Sequence, residues 1–225
     1  MMEWLAAPID PVRVHQVDFY VSWHARLMVL SWALLTPIGV LAARYFKVLP
    51  WQDWPRQLDN QTWWRLHRST QYSVVVLTAL AFTLILLAPP NPSRTDGAVW
   101  HHAFGFLVIG LAAIQIVGAQ FRGTKGGPTA PAADGSLRGD HYDMTLRRRI
   151  FEAVHKTSGY IAAVVSFVAI FLGLWQANGP RWMWIALAAW ALGLVVLFLA
   201  LAWRRSNIST YEAIWGPDVE PPRQR

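Results

Sequence analysis

The stretch between Leu27 and Ala43 contains no charged residue, and it limits what this chain can fold into more than any other feature. With its flanks it provides about 20 residues of helix, or roughly 30 Å, which is the thickness of the hydrocarbon core of a bilayer. His24 stands near its beginning, and Arg44 and Tyr45 follow its end, where charges and aromatic rings suit a membrane–water interface. This stretch therefore predicts a membrane-spanning helix with an ionisable residue near its first end.

Pro37 and Gly39 interrupt this predicted helix. A membrane helix tolerates such residues when a neighbouring helix covers the carbonyl group that proline leaves without a hydrogen bond. We therefore expect a single span here, with a partner group on another helix.

Four further apolar runs follow, separated by short segments rich in proline, glycine and charge. They predict an all-α integral membrane protein in which four transmembrane helices form a bundle and a fifth, C-terminal helix joins it. Residues 1–20 and 204–225 are expected to be polar tails at the surface, and the first of them does not resemble a signal peptide. The predicted spans are 21–46, 63–87, 99–121, 146–175 and 181–203.

The composition supports this class and excludes several kinds of site. Hydrophobic residues make up 54% of the chain, charged residues make up 15%, and the mean hydropathy is +0.27. The chain has no cysteine, which excludes disulfides, thiolate zinc sites, protein-held iron–sulfur clusters and covalently attached c-type haem. We also find no glycine pattern typical of nucleotide-binding loops.

The distribution of positive charge predicts the orientation in the membrane. Five spans place the N-terminus and two of the connections on one side, called side A, and the remaining segments on side B. Only four of the 20 Lys and Arg residues fall on side A, and the other sixteen fall on side B. Cytoplasmic segments are enriched in Lys and Arg, so side B is predicted to be cytoplasmic and the N-terminus external. The net charge of +7 is thus assigned to topology and membrane lipid, with no nucleic acid, and the membrane is predicted to be a bacterial inner (plasma) membrane.

Histidines recur near the ends of the first four predicted spans. His24 and the His101–His102 pair lie near side A, whereas His67 and His155 lie near side B. Ionisable side chains within a membrane are costly and usually functional. Alternation of the spans alone therefore predicts two histidines from different helices near each face of the bundle.

Two histidines at similar depth on different helices are suited to a haem b, because axial imidazoles must reach the iron from opposite faces of the ring. Gly105 follows His101 by four residues, and Gly159 follows His155 by four residues, so each glycine lies on the face of its histidine and leaves space for a porphyrin. Basic residues near these positions are candidate partners of the haem propionates. These residues are Arg26, Arg65, Arg68 and Lys156.

Three other histidines are weaker candidates. His102 is adjacent to His101, and neighbouring helical residues point about 100° apart, so only one of the two can face a ring. His15 and His141 stand in polar segments, where we expect solvated side chains. The alternative role for His141 is contact with a cytoplasmic electron donor.

The combined spacing of these residues resembles the four core helices of the cytochrome b561 domain, over about residues 23–175. The closest subtype occurs elsewhere with DOMON domains and in ferric-chelate reductase-like proteins. The matching residues of the first two helices are His24, Leu27, Trp32, Pro37, Gly39, Ala43, Arg44, Tyr45, Leu66, His67 and Gln71. Those of the third and fourth are His101, Gly105, Gln115, Arg122, Arg149, Phe151, His155, Gly159 and Tyr160.

The resemblance implies two non-covalent b haems, each held by two histidines, with the first core helix paired with the third and the second with the fourth. This agrees with the pairing from alternation, and it selects His101 over His102. The resemblance also implies small-molecule or protein electron donors and acceptors, for which ascorbate, quinol and ferric chelates are candidates. No DOMON domain is expected within these 225 residues, and a homodimer is left open.

The sequence therefore predicts a transmembrane dihaem cytochrome b that carries electrons between a donor on the basic, cytoplasmic side and an acceptor on the opposite side. It would be an electron-transfer oxidoreductase if it turns over a substrate. Two alternatives are a quinol-linked cytochrome b subunit of a partner enzyme and a haem-free membrane scaffold or transporter.

Overall fold

The computed structural model describes residues 1–13, 17–89, 97–204 and 208–217, and its named elements are all helices. We number these helices α1 to α7 along the chain. They are α1 (Met2–Ala6), α2 (Phe19–Tyr45), α3 (Thr62–Leu87), α4 (Ala98–Gln120), α5 (Leu146–Gln176), α6 (Arg181–Arg204) and α7 (Thr210–Trp215).

Helices α2 to α6 are each long and apolar enough to cross a membrane. Their most apolar windows have mean hydropathies of 1.7 to 2.7, and their ends lie within about two residues of the predicted spans. The prediction of an all-α membrane protein with five spanning helices is therefore confirmed.

Four of the spanning helices form the bundle as two antiparallel pairs. Helix α2 packs along α3, helix α4 packs along α5, and the middle of α2 also contacts α5. The buried centre of this bundle contains Trp32, Val74, Val108 and Ala162, one residue from each helix. Helix α6 contributes no buried residue and lies at the edge, against α2 and α5.

Helix α2 changes to a π-helix over Val29–Leu35, immediately before Pro37. Proline has no N–H and its ring clashes with the carbonyl group four residues earlier, so the carbonyl oxygen of Ala33 needs another donor. Trp190 of α6 supplies it, because its indole Nε1 donates to that oxygen at 2.7 Å. The expected cover for the proline is thus present, and it fixes the edge helix to the bundle.

The N-terminal segment has no buried residue among residues 1–13, but it is folded against the bundle. Helix α1 packs against α6, and the amide of Arg181 donates to the carbonyl oxygen of Ala7 at 3.0 Å. The side chain of Asn178, which is buried, bonds the backbone of Asp10 and Arg13. These hydrogen bonds hold the segment over the side-A turn; His15 lies outside the described residues.

The loops on side B pack together instead of extending into solvent. Tyr211, Ala213 and Ile214 of α7 are buried, which corrects the prediction of a polar surface tail. The amide of Asp59 donates to the carbonyl oxygen of Ala213 at 3.1 Å, and the carboxylate of Asp59 pairs with Lys125 at 2.6 Å. The segment 208–217 and the loops at 47–61 and 122–145 therefore form one layer, which we call the side-B layer.

His141 lies inside the side-B layer, so the expectation of a solvated side chain is wrong. Only 1% of the residue is exposed, and its ring faces Tyr211 at 5.9 Å between centroids. Burial, and then the guanidinium of Arg148, lower the pKa of His141 to about 4. A buried, neutral imidazole cannot make the direct contact with an electron donor that was its alternative role.

Replacing Trp190 with Phe should destabilise the fold, because the carbonyl oxygen of Ala33 loses its donor. The expected loss is about 1–3 kcal/mol, the usual cost of leaving a buried polar group unsatisfied. Thermal unfolding of the detergent-solubilised protein measures it, with Trp182→Phe, at a more exposed indole of the same helix, as the matched control. Adding Pro37→Ala, which restores a backbone N–H, should recover part of the lost stability. If Trp190→Phe costs the same stability with and without Pro37, the role of Trp190 in compensating for the proline is contradicted.

Candidate functional site

The structure brings the four span histidines together in two pairs. The ring centroids of His24 and His101 are 6.2 Å apart, with an angle of 79° between the ring planes. The ring centroids of His67 and His155 are also 6.2 Å apart, with an angle of 81°. Each pair joins one histidine from the α2–α3 hairpin with one from the α4–α5 hairpin, as alternation predicted.

Three of the four imidazoles are fixed by a hydrogen bond from Nδ1 to a backbone carbonyl oxygen of another helix. Because a carbonyl can only accept, Nδ1 carries the proton and Nε2 keeps its lone pair free for a metal ion. Such bonds orient a ligand and raise its basicity. The bonds are His24 to Ala81 at 3.0 Å, His67 to Gly39 at 2.9 Å and His101 to Ala169 at 2.9 Å.

The fourth imidazole, that of His155, is held differently. Its buried Nδ1 has no partner among the described residues, and its ring stacks on Phe151 at 5.1 Å between centroids. Its backbone is fixed instead, because Gln115 Nε2 donates to the carbonyl oxygen of His155 at 3.0 Å and to Ser158 Oγ at 2.6 Å. The position of the His155 ring therefore depends on stacking and on the contact between α4 and α5.

The two pairs lie at different depths in the bundle. On α3, His67 belongs to one pair, and Ala81, about 14 residues later, holds His24 of the other pair. On α5, His155 and Ala169 have the same separation. Fourteen residues correspond to about 21 Å along a helix, so the pairs lie near opposite ends of the hydrocarbon core.

The histidine pairs fit a planar metal macrocycle. A metal–imidazole bond of about 2 Å on each side, plus about 1 Å from nitrogen to ring centre, places two axial rings about 6 Å apart. The observed spacing of 6.2 Å matches this value twice. Among the described residues no group of three or more His, Cys, Asp or Glu side chains is suited to a metal ion. A metal at either pair would take its other ligands from a cofactor, as iron does in a porphyrin.

The glycines near the pairs have different surroundings. A side chain at Gly105 would meet no atom within 4 Å. A side chain at Gly159 would instead contact Gln115 at 3.5 Å. A Cβ added at Gly173 would approach Cε1 of His101 to 2.9 Å, closer than real Cβ atoms come. Sequence reasoning missed Gly173, because only the fold shows that this part of α5 faces His101.

The predicted propionate partners are not equivalent. Arg26 lies over the ring of Trp23 at 5.2 Å on side A. Lys156 already forms an ion pair with Glu152 at 2.8 Å, so it is the least available cation. Arg65 and Arg68 lie in the first two turns of α3, at the side-B pair.

Arg122 is a further cation near the side-B pair. Its guanidinium lies over the ring of Trp64 at 4.4 Å, and Trp64 in turn lies 6.2 Å from His67 between centroids. Arg122 lies just beyond the end of α4, and only the tertiary structure shows that its guanidinium reaches Trp64, beside His67.

A cleft of roughly 320 Å³ opens on side B between the end of α2 and the end of α6. Arg44, Lys47 and Arg204 line it together with apolar residues, and no acidic residue does. Nζ of Lys47 donates to the carbonyl oxygen of Ile208 at 2.9 Å. Burial, and then the charges of Lys156 and Arg44, lower the pKa of Lys47 to about 8. The cleft is therefore suited to a small anion.

These observations define a class of protein: an integral membrane helical bundle with two closely spaced histidine rings near each end. No family model matches the chain, and no solved structure matches it. Curated relatives do. Ferric-chelate reductase 1 of Homo sapiens is 30% identical over 192 residues, covering 82% of this chain and 28% of that protein. A cytochrome b561, DM13 and DOMON domain-containing protein of Arabidopsis thaliana is 31% identical over 187 residues, covering 80% of this chain and 18% of that protein.

A second plant relative, a cytochrome b561 and DOMON domain-containing protein of Arabidopsis thaliana, is 29% identical over 193 residues, covering 81% of this chain and 35% of that protein. The helical bundle is therefore a cytochrome b561-type domain. The chain spans about a third or less of the length of each of these relatives.

Replacing Gly173 with Ala should disturb the side-A pair, because the new methyl group would overlap the ring of His101. If each pair holds one haem, about half of the bound haem should be lost, as measured by pyridine haemochrome per protein, and the loss should be confined to one spectral species. Gly110→Ala on α4 is the control, because a Cβ there meets no atom within 4 Å. Unchanged haem content and unchanged low-spin spectra in the Gly173 variant would contradict this geometry.

Proposed function

We propose that this domain binds two b haems and moves single electrons between them across the membrane. His24 and His101 hold the side-A haem, and His67 and His155 hold the side-B haem. The observation that carries the proposal is the repetition of one geometry, two rings 6.2 Å apart and nearly perpendicular, at both ends of the bundle. Bound haem supplies one-electron chemistry by alternation of its iron between the ferric and ferrous states.

The residues of the chain hold and insulate these groups. The carbonyl groups of Ala81, Gly39 and Ala169 fix the tautomer and direction of three imidazoles. Gly105 and Gly173 leave the space that the side-A site needs. We assign the propionates to Arg26 on side A and to Arg65, Arg68 and Arg122 on side B. Lys156 is a less suitable partner because Glu152 already neutralises it.

We also propose the orientation that the charge distribution predicts, with side B in the cytoplasm and the N-terminus outside. The bacterial inner (plasma) membrane stays a prediction, since the relatives named above come from an animal and a plant. A homodimer likewise stays a prediction.

We further propose that a small anionic electron donor binds in the side-B cleft, beside Arg44, Lys47 and Arg204. Three cations without an acidic neighbour in the lining support this assignment. Ascorbate and an anionic chelate have the negative charge that these cations attract, whereas quinol is neutral. The acceptor on side A is proposed to be a ferric chelate or a protein. The alternative is that the domain is a quinol-linked subunit of a partner enzyme, with quinol as the donor.

Replacing His67 or His155 with Ala should remove one haem and leave the other, because the two pairs share no ligand. Pyridine haemochrome should give two haems per chain in the wild type and about one in each variant. His102→Ala, at a neighbouring histidine outside both pairs, should retain two haems. Equal loss of both haems from each variant, or no loss of haem, would refute the assignment of the ligand pairs. A colourless wild-type protein would favour the alternative of a haem-free scaffold or transporter.

Ascorbate should reduce the protein rapidly only when it is added on side B, and the rate of reduction should fall above pH 8. A lysine is charged below its pKa, so the charge of Lys47 is lost as the pH rises through about 8 and the donor loses attraction. Stopped-flow reduction in sealed, oriented vesicles measures this. Lys47→Arg should remove this pH dependence and keep reduction fast, since arginine stays charged, whereas Lys47→Met should be slow throughout. Fast reduction from side A, or by quinol alone, would contradict the assignment.

A further inference from the structure

The buried layer of the bundle lies midway between the two histidine pairs. Val74 is seven residues from His67 and seven from Ala81, which holds His24. Ala162 has the same position on α5, midway between His155 and Ala169. The layer is therefore about 10 Å along the helices from either pair.

Trp32 is the one aromatic side chain in this layer. Its buried apolar neighbours there are Val74, Val108 and Ala162, and the partly buried hydrophobic residues that pack against this cluster in the described part of the chain are aliphatic apart from Met28. Trp32 is 5% exposed, and its Nε1 donates to Thr78 Oγ1 at 3.0 Å. It lies within the π-helical segment Val29–Leu35, and such segments often occur at functional positions.

Other aromatic residues of the bundle do not occupy this place. Tyr72 and Phe106 are 46% and 61% exposed, so they face the lipid. Trp64 and Phe151 lie beside the side-B histidines, at the end of the path and not in its middle. Within the described residues, only Trp32 combines burial, a conjugated ring and a central position.

We propose that Trp32 is the bridging residue through which the electron crosses between the two histidine pairs. The inference rests on the proposed function, because it needs a haem at each pair. One iron loses one electron and the other gains it; no bond forms or breaks. The indole is not itself oxidised, and its N–H proton stays on Nε1, bonded to Thr78. Between the two pairs the electron would otherwise have to cross only aliphatic groups and voids, which couple weakly. A close-packed, conjugated ring shortens the distance that it crosses in this way.

The fixed direction of the indole is part of the inference. Thr78 lies on α3, one turn before Ala81, so the hydrogen bond ties Trp32 to the strip of α3 that also holds His24. Thermal rotation of the ring would break this bond inside an apolar layer, at the cost of an unsatisfied donor. Thr78 is therefore a positioning residue for the indole.

The test compares Trp32→Leu and Trp32→Phe with Val74→Ala in the holoprotein. Val74→Ala opens a cavity in the same layer but keeps the indole, so it separates packing from bridging. The rate of electron transfer between the haems is measured after a flash in which a photoreductant delivers one electron to one haem of the fully oxidised protein. Haem content and both midpoint potentials are measured on the same samples.

We expect Trp32→Leu to slow the transfer by about tenfold, equivalent to roughly 1.4 kcal/mol in barrier. Trp32→Phe, which keeps a ring, should slow it less, and Val74→Ala should stay near the wild-type rate. Two haems and unchanged potentials are expected in all three. An undiminished rate in Trp32→Leu, or equal slowing in Val74→Ala, would overturn the bridging role. Fewer than two haems in the wild type would instead refute the proposed function, so the two failures are distinguishable.

Thr78→Val provides an independent readout. The signal of Trp32 is isolated in ultraviolet resonance Raman spectra by subtracting the spectrum of Trp32→Phe. Loss of the hydrogen-bond acceptor should shift the indole band of Trp32. It should also slow electron transfer between the haems without loss of haem. A spectrum identical to the wild type would show that the indole is not held by Thr78 and would overturn the positioning role.

Discussion

The hydrogen bond from a histidine Nδ1 to a carbonyl group on a neighbouring helix is the interaction on which the site depends. It determines which ring nitrogen is free, and it does so three times with nearly the same length, from 2.9 to 3.0 Å. A side-chain donor that finds no partner in an apolar interior is costly, so the helices cannot slide or rotate relative to one another without losing these bonds. The packing of α2 on α3 and of α4 on α5 therefore fixes the imidazoles as rigidly as it fixes the backbone.

The interior alternates between polar and apolar layers along the bundle. A histidine layer near each end encloses the central layer around Trp32, whose other buried residues are aliphatic side chains and uncharged hydroxyl side chains such as Thr78. Under the proposed function, such an arrangement would keep charge changes near the water boundaries, with only neutral, close-packed atoms between them. The edge helix α6 stands outside this system, and its indole bond from Trp190 to Ala33 compensates for the proline that interrupts α2.

The side-B layer gives the cytoplasmic end a rigid base if the proposed orientation holds. The ion pair of Asp59 with Lys125 has little exposure, and Thr129 also bonds the Asp59 carboxylate, so the desolvated charges are compensated. His141 lies in the same layer as a neutral ring beside Arg148 and Glu152. This layer ends beside the cationic cleft through the bond of Lys47 to Ile208, which connects the packed loops with the proposed donor site.

The sequence by itself determined the five spans, their approximate ends and the histidine on each core helix, because bilayer thickness and charge exclusion act on short stretches of chain. Alternation of spans was enough to predict which histidines share a side, and the structure places those rings together. Only the tertiary structure decided the carbonyl partners, the closeness of Gly173 to His101, the central place of Trp32 and the burial of His141. Each of these depends on helix rotation and on loops that pack against distant segments, and such contacts leave no local pattern in the chain.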